Sequence, residues 1–572
     1  MKKLIQIVAV ALILFSTACQ EHLDTKNLYS VSTDNYYKTP EQINEAMAGV
    51  YNALYAPNAV SDEHLVAELL SDIVFAGGGS DDIAAHNIAA FTDPVEDTHK
   101  GLWLQTYRGI ARVNAILEAV EKNDYSDFFP SAAEALQFKN KTIGEAYFMR
   151  GFLYFRAARF FGGMPLIIKT EGPHDVARAT FSETFGQIAS DFDNAIKFFP
   201  ELNINNIPLA EYGRANIWTA KAYLARTYLH YCGYMTNIEK KATETIPLPG
   251  GGVINKTQVI AHLQDIQSKS GHELTPDFRN LWPYAHVNSV AGSNVLPWAT
   301  TNNLAWVGQD GPHSKIGTGN KEVMFALRYA NGNWEPNDRY RNWVVLYFGV
   351  RKNSMIPFGE GWGWGTVHPN FYNSWSDNDM RKQGSVLTLG DNSQGTGSYQ
   401  ANQGMFETGL FNKKYTPLQF SDNGTVTGMF RKLYGSGENS YMMWHAQDFY
   451  YLRYADVLLM HAELTQTATG LNAVRSRALG AAHVPVTYTL ENLKRERLLE
   501  FAFEGVRWFD LVRWGDVEGS GNYYGVESDV MNEGVAAKHR RTYRTVTKGL
   551  RPIPESEIRL SNGAYQQNAG WE

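Results

Sequence analysis

The chain is poor in cysteine, with two residues, Cys19 and Cys232, in 572. So few exclude a disulfide framework and a cysteine-built zinc site. An excess of positive charge is missing too. Lys and Arg total 52 against 59 Asp and Glu, for a formal net charge of -7. There is no basic surplus to grip a phosphate backbone, and nucleic acid is not an expected partner. After the N-terminal segment there is no apolar run long enough to span a bilayer. Several catalytic signatures are lacking: H-E-x-x-H, G-x-S-x-G, a Walker loop, and a nucleotide-binding glycine fingerprint after a strand. The 15 histidines are scattered without metal-ligand spacing. His64 and His461 fall in helical stretches and read as packing or solvated residues. Cys232, in the apolar run Tyr228-Leu229-His230-Tyr231-Cys232, reads as a small buried hydrophobe. No cofactor and no metal is expected.

What the chain does have is aromatic residues, 13% of the total, with 14 Trp and 31 Tyr. Large core anchors account for most of them; some can form stacking platforms at the surface. The N-terminus carries a second signal. Lys2 and Lys3 precede an apolar stretch, Leu4 to Phe15, broken only by Gln6. Ser16-Thr17-Ala18 and then Cys19 follow. This is the layout of a secretory signal, too short to be a membrane span. Cys19 after Ala18 resembles a lipobox, with Ser16 where Leu is usual. Residues 1–18 are therefore predicted to be a lipoprotein signal peptide, and 19–38 a lipidated cysteine and flexible tether. Two or three acyl chains would anchor such a protein firmly.

Helical periodicity occupies both ends of the remainder. Thr39-Pro40-Glu41-Gln42 predicts a capped helix start, with Ile43, Met47, Val50 and Leu54 on one face of a helix reaching Tyr55. Further helices are predicted over Trp103 to Val120, Ala133 to Phe161, Phe181 to Phe198 and Ala215 to Tyr231. Small and large apolar residues interleave as in tetratricopeptide pairs, without an exact 34-residue repeat. From 234 to 445 the texture turns to Gly, Asn, Ser and Trp, long helical patterns vanish, and Glu322 to Leu327 and Trp343 to Tyr347 read as extended pieces. Helices return over Tyr450 to Leu464, Gly470 to Ala478 and Leu490 to Trp514. The fold class is mainly α: a helical scaffold, 39–233 and 446–572, carrying a loop-rich ligand-binding insert, 234–445.

The helical segments carry ordered motifs. Glu145-Ala146-Tyr147-Phe148-Met149-Arg150-Gly151 runs on to Phe161-Gly162-Gly163-Met164-Pro165. Gly213-Arg214-Ala215 comes next, then Leu452-Arg453-Tyr454-Ala455-Asp456. Glu496-Arg497-Leu498-Leu499-Glu500 leads into Phe503-Glu504-Gly505-Val506-Arg507-Trp508-Phe509-Asp510, and Pro552-Ile553-Pro554 closes the series. This ordered set resembles the SusD/RagB family across nearly the whole mature chain. The resemblance implies a tetratricopeptide-like scaffold and a lipoprotein on the outer membrane, facing the cell exterior. It also implies a partner, a SusC-like TonB-dependent transporter, to which a captured oligo- or polysaccharide is delivered without catalysis. The acidic residues Glu21 and Asp24 after Cys19 are similar to a surface-export signal of Bacteroidetes lipoproteins. Three other readings stay open: a RagB-like binder of peptides or glycopeptides, a periplasmic scaffold for protein partners, and a surface glycoside hydrolase, which needs only two well-separated carboxylates.

The charged residues Glu496, Arg497, Glu500, Glu504, Arg507, Asp510 and Arg513 recur at three- and four-residue spacing and are expected to pair along a helix as a structural ion network. Asn114 and Asp456 read as satisfied core polar groups. A sugar site needs aromatic rings for C–H faces and short polar groups for hydroxyls. Two regions fit. One is 72–99, with Gly77-Gly78-Gly79, Asp81, Asp82, Asn87 and Phe91. The other is the insert, with Trp282, Trp298, Trp306, Trp334, Trp343, Trp362, Trp364 and Trp375. Trp334 sits in the polar stretch Asn331 to Arg339, beside Asn333 and Arg339. Gly361-Trp362-Gly363-Trp364-Gly365 resembles a family element often found near the site. The candidate ligand contacts are thus Trp334, Trp298, Trp306, Trp282, Trp364, Trp362, Asp81, Asp82, Asn87, Phe91, Asn333 and Arg339.

Overall fold

Helix starts are set by side-chain caps. Thr39 accepts from the Gln42 N–H, and the Gln42 side chain accepts in return from the Thr39 N–H. With Pro40 at the first position, this is the predicted capping box, and α1 runs Pro40–Tyr51. It stops four residues before the expected end, because Asn52–Leu54 tighten into a 3-10 turn. The computed structural model describes residues 36–93, 97–173, 176–313, 317, 319–331, 340–351, 355–390, 403–435, 440–443, 445–518 and 521–572. Cys19 and the tether, and Asn333, Trp334 and Arg339, lie outside the described residues.

After α1 come α2 (Glu63–Leu70), α3 (Ile83–Ala90), α4 (Lys100–Lys122), α5 (Ala132–Phe161), α6 (Phe181–Phe198), α7 (Ile217–Asn237) and α8 (Lys256–Lys269). Capping boxes at Thr180/Glu183, Asn216/Thr219 and Asn255/Gln258 open α6, α7 and α8. α1 packs on α4, α4 on α5, α5 on α6, α6 on α7 and α7 on α8. This is the tetratricopeptide-like stack. The second half of α5 is buried on nearly every side, with Phe148, Phe152, Phe155, Phe160 and Phe161 in the core and Arg150 and Arg156 neutralised by Asp191 and Glu63. A helix of that kind belongs in the middle of the protein. It ends at Gly162-Gly163, where a Cβ on Gly163 would lie 1.9 Å from the Ala179 carbonyl oxygen. Glycine is needed there so that the returning chain can pass.

The insert departs from the expectation in two places, and the C-terminal part departs in two more. α8 is a 14-residue helix inside a region read as lacking long helices. Trp343 to Tyr347, read as extended, is helix α9 (Trp343–Phe348), with the Asn342 side chain accepting from the Val345 N–H. A short apolar run has no period to choose between strand and helix, and here the cap decides. The helix expected from Tyr450 starts at Tyr454. The residues before it form β2 (Phe449–Arg453), antiparallel to β1 (Val323–Leu327). Beyond lie α10 (Tyr454–Thr465), α11 (Thr469–Leu479), α12 (Leu490–Phe501) and α13 (Arg507–Trp514). The single helix expected over Leu490 to Trp514 is thus two. The break follows from left-handed backbone at Phe503 and Gly505, φ 65° and 68°. A hairpin, β3 (Ser528–Asn532) and β4 (Val535–His539), completes the parts that shape the site. One continuous hydrophobic core runs from Ile43 to Ile553 and draws on scaffold and insert alike.

The charged motif residues form a buried network, but most of its pairs are long-range rather than along one helix. Arg453 of β2 donates to Glu322, Glu500 and Glu504. Arg381 binds Asp379, Glu496 and Glu500. Arg477 reaches Glu322 and Glu500, and Lys414 reaches Glu504. Glu322, Arg381 and Lys414 belong to the insert, whereas Glu496, Glu500 and Glu504 follow from α12. The network therefore rivets insert to scaffold. A second set joins Arg497 to Asp456 and Asp510, and Arg507 to Asp72; here Arg513–Asp510 does pair at i,i+3. Asn114 is satisfied by Arg150 and the Ile167 carbonyl.

Removing one member of a buried pair strands its partner, which costs about 3–5 kcal/mol. Arg453→Met is expected to destabilise the protein by at least that much in denaturant unfolding, whereas Lys538→Met, which removes the exposed Lys538–Asp529 pair, should cost under about 1 kcal/mol. Equal effects would contradict the network's role. A pH dependence also follows. Burial alone would raise the Glu500 carboxyl, but Arg477, Arg453 and Arg381 outweigh it and hold the group far below its ordinary value. Asp456 is held down in the same way, its burial outweighed by Arg497 and Arg226. Both groups stabilise the fold above about pH 4.5 and lose that contribution as pH falls toward their folded values. Burial pushes Asp62 up to about 6, and Glu68 and Asp448 up to about 7. Their contribution is complete below about pH 4 and is lost as pH rises through 6 to 7. The melting temperature should therefore peak between roughly pH 4.5 and 6. Asp448→Asn should flatten the fall on the alkaline side. A maximum above pH 8 would sink this account.

Candidate functional site

The two regions singled out from sequence meet in space. After α2, the chain from Ile73 to Asp82 runs alongside Gly361–Val367. Val74 bridges to Val367 and Gly77 to Trp364. The Gly78 N–H donates to the Gly363 carbonyl at 2.8 Å, and the Gly365 N–H to the Ala76 carbonyl at 2.8 Å. Glycine is required at this seam. Gly77 has φ +67°, and a Cβ on it would lie 2.1 Å from the Gly363 oxygen. Further backbone bonds tie in the neighbours: Gly363 N–H to the Gly349 carbonyl, Met405 N–H to the Gly78 carbonyl, and Glu533 N–H to the Gly404 carbonyl. The β3–β4 turn is fastened again by Ser80, whose hydroxyl donates to Glu533 at 2.7 Å. The platform is a lattice of main-chain bonds and needs little reordering on binding.

On this platform stands an aromatic cluster. Trp362 lies 4.9 Å from Tyr347, ring centre to ring centre, and Tyr347 lies 5.8 Å from Trp343, one helical turn back on α9. Tyr441 lies beside the Trp362 indole. Trp343, Trp362 and Tyr441 are half-buried, each retaining part of its surface in water. Trp364 sits beneath, edge-on to Tyr347 at 4.4 Å. Beside the rings lies a charged rim. Arg351, eight residues after Trp343, bridges Asp82 at 3.4 Å and Asp81 at 3.7 Å. Asp82 is fixed by the Gly79 N–H at 2.7 Å. A side chain at Gly79 would collide with the Arg351 guanidinium. Asp81 remains largely exposed, with the second carboxylate behind it. Rings with open surface, exposed carboxylate oxygens and a guanidinium can answer the C–H faces and hydroxyls of a sugar.

The remaining sequence candidates go elsewhere. Trp282 is fully buried between Tyr415 and Tyr450. Trp306 is buried against His286 and Phe430. Trp298 is buried too: its indole donates to Gln383, and Lys413 covers its ring at 3.7 Å. Neither those three nor Trp364 offers a ring face to solvent, because each fills core space that the insert's short elements leave between them. Phe91 closes α3 from inside the core, packed on Trp508 and Tyr543. Asn87 is half-buried at the end of α3, bonded to Thr92. Asp81, Asp82 and Trp362 are the described candidates that come together at the platform's rim. Sequence reasoning missed Arg351, Tyr347 and Tyr441, and placed Trp343 in the insert without naming it as a contact. The available signal was the i,i+4 spacing of Trp343 and Tyr347, which puts both on one face once the segment is read as helix.

Comparisons with known proteins agree with this architecture. A model described as the SusD family matches residues 321–571, and one described as starch-binding associating with outer membrane matches 21–229. A SusD-like protein of Formosa agariphila is 24% identical over 541 residues, 89% of this chain and 90% of its own. A SusD-like protein of Bacteroides ovatus is 22% identical over 90% of this chain and 83% of its own. Among solved structures, surface glycan-binding protein A of Bacteroides thetaiotaomicron, in complex with laminarihexaose, superposes with a TM-score of 0.65 at 19% identity, covering 93% of this chain and all of that one. A laminarin-binding SusD-like protein gives 0.65 at 23% identity, with the same 93% and 100% coverage. On the ordered motifs, the helical stack and these matches over both halves, the chain belongs to the SusD/RagB family.

Proposed function

We propose that the protein captures a glycan at the outer face of the outer membrane and passes it to a SusC-like TonB-dependent transporter, acting by binding and not by catalysis. The observation that carries this reading is the Trp343–Tyr347–Trp362–Tyr441 cluster beside the Asp81, Asp82 and Arg351 rim. Half-open rings next to short polar groups suit a neutral saccharide. The rigid main-chain seam below them suits a binding site that must hold its shape. Two relatives of the same fold, one solved with laminarihexaose and one named for laminarin binding, lend support. Anchoring would come from a lipid on Cys19. No helix among the described residues is long and apolar enough to cross a membrane. The transporter partnership rests on family membership.

The test is affinity electrophoresis of the chain without residues 1–19, through gels containing plant, host and microbial polysaccharides, laminarin among them. One ring–sugar contact is worth about 1 kcal/mol, or roughly a fivefold change in affinity. Trp362→Ala should weaken retardation by about that factor or more, with an unchanged circular dichroism spectrum. Trp362→Phe should retain most of the binding, while Asp82→Asn should weaken it. If no polysaccharide retards the wild-type protein, the glycan reading falls and peptides become the ligands to try. If one does and Trp362→Ala migrates like wild type, the site is misplaced.

A further inference from the structure

A second cleft, of about 580 Å³, opens between α1, α4 and the insert, and it shares no lining residue with the Trp362 cluster. Its floor is low because Ala48 and Gly49 present almost no side chain along α1. Tyr55 and Tyr340 meet there at 4.9 Å with their planes 87° apart, forming a right-angled corner of aromatic surface. Tyr55 is also edge-on to Tyr329 at 5.6 Å, so its ring is braced from a second side. Its hydroxyl donates to the Arg328 carbonyl at 2.6 Å. The Asn52 amide donates to the Tyr340 hydroxyl at 2.8 Å. The corner is held before any ligand arrives.

The charges of this cleft are unequal. Arg214 is spent on Glu145 in a two-pronged pair, at 2.7 and 2.6 Å. Tyr51 adds its own hydroxyl to the same carboxylate and accepts from the Ala215 N–H. On that side of the cleft the charge is balanced, with Arg214 and Glu145 paired. Arg112 is different. It is exposed on α4, donates from Nη1 to the Gly49 carbonyl at 2.5 Å, and forms no ion pair among the described residues. A guanidinium held by one neutral bond keeps further donors in its fork for a planar anion. Asn44, on the exposed side of α1, lines the same opening.

We propose that this cleft is a separate binding site for an acidic sugar unit, its carboxylate on Arg112 and its ring in the Tyr55–Tyr340 corner. A neutral sugar could accept from Arg112 through hydroxyl oxygens but would bring no countercharge to it. An inorganic anion would leave the corner unfilled. A uronic acid residue answers both, because it carries a carboxylate on a ring with C–H faces. The inference rests on the glycan reading for the class of ligand, but not on the Trp362 site.

The experiment is titration calorimetry of the chain without residues 1–19. The probes are tetragalacturonate and the neutral tetrasaccharide made by reducing its carboxyl groups. Arg112→Gln, Tyr340→Ala and Trp362→Ala are compared with wild type. Arg112→Gln removes the charge while keeping an amide donor on the same face of α4. Tetragalacturonate should bind wild type, more weakly as salt rises. Its affinity should drop roughly tenfold or more in Arg112→Gln, the scale of a charge-assisted bond, and clearly in Tyr340→Ala. Trp362→Ala should leave it unchanged, and the neutral tetrasaccharide should be insensitive to Arg112→Gln. Failure of wild type to bind tetragalacturonate, or equal affinity in Arg112→Gln, overturns the proposal. Loss in Trp362→Ala alone would place the acidic sugar at the first site, keeping the glycan reading and refuting the second cleft. Binding that depends on Arg112 while every neutral glycan fails would support the second cleft and remove the Trp362 site. A peptide with a free C-terminus that competes through Arg112, where tetragalacturonate does not bind, also refutes it.

Discussion

The fold depends on one buried cation more than on any other single group. Arg453 is the last residue of β2 and is enclosed by Glu322, Glu500 and Glu504. Those three carboxylates come from the insert and from the junction between α12 and α13. With Arg381, Arg477 and Lys414 they close into a set in which every carboxylate faces at least one cation. Burial pushes the Lys414 ammonium down to about 8, despite Glu504 beside it, so this site keeps even a paired charge at some cost. An apolar core of the same volume would be at least as stable. What the charges add is address. Each arginine fork accepts carboxylates from a few directions only, so the insert can seat on the scaffold in one way.

That seating positions the candidate site. Arg507, on the other branch of the network, holds Asp72 with both nitrogens at 2.8 and 2.9 Å. Asp72 is the last charged residue before the chain turns into Ile73–Asp82. The aligned strip then meets Gly361–Val367 at a seam only glycine can make. The ion network therefore fixes where the loop begins, and the glycine seam fixes how closely it approaches the Trp362 element. Ring spacing at the site follows from those two constraints. A variant that loosened the network would be expected to blur the site before it unfolded the helices, since α1 to α8 bury their own faces against one another.

Much of the scaffold was legible in the sequence because its signals are local. The Thr39–Gln42 box, the Gly162-Gly163 stop and the Phe-rich face of α5 each declare themselves within a few residues. The insert was read less well for the opposite reason. Trp343–Phe348 is too short to show a period, and whether it is helix or strand is settled by the Asn342 cap. The break between α12 and α13 turns on Phe503 in left-handed backbone, a conformation that composition does not betray. The charge spacing over Glu496 to Arg513 looked like pairing within a helix. The true partners, Glu322, Arg381, Arg453 and Asp72, are distant in sequence, and no spacing rule reaches them.

The tryptophans mark where composition stops being informative. An aromatic-rich insert suggests many sugar platforms, yet Trp282, Trp298, Trp306, Trp364 and Trp375 are all buried. A region of mostly short helices and strands of two to five residues has few long faces to pack, and large flat rings fill the irregular space between them. A buried indole and a half-open one therefore share the same sequence neighbourhood, Gly, Asn and Ser. What separates them is how many sides are covered. Trp298 has Lys413 over its ring and Tyr284 beside it. Trp362 has Tyr347 beside it, Tyr441 close by, and a remaining surface in water next to Arg351. Solvent contact on one side, with rigid partners on the other, is the property a stacking site requires, and it is a property of the assembled chain.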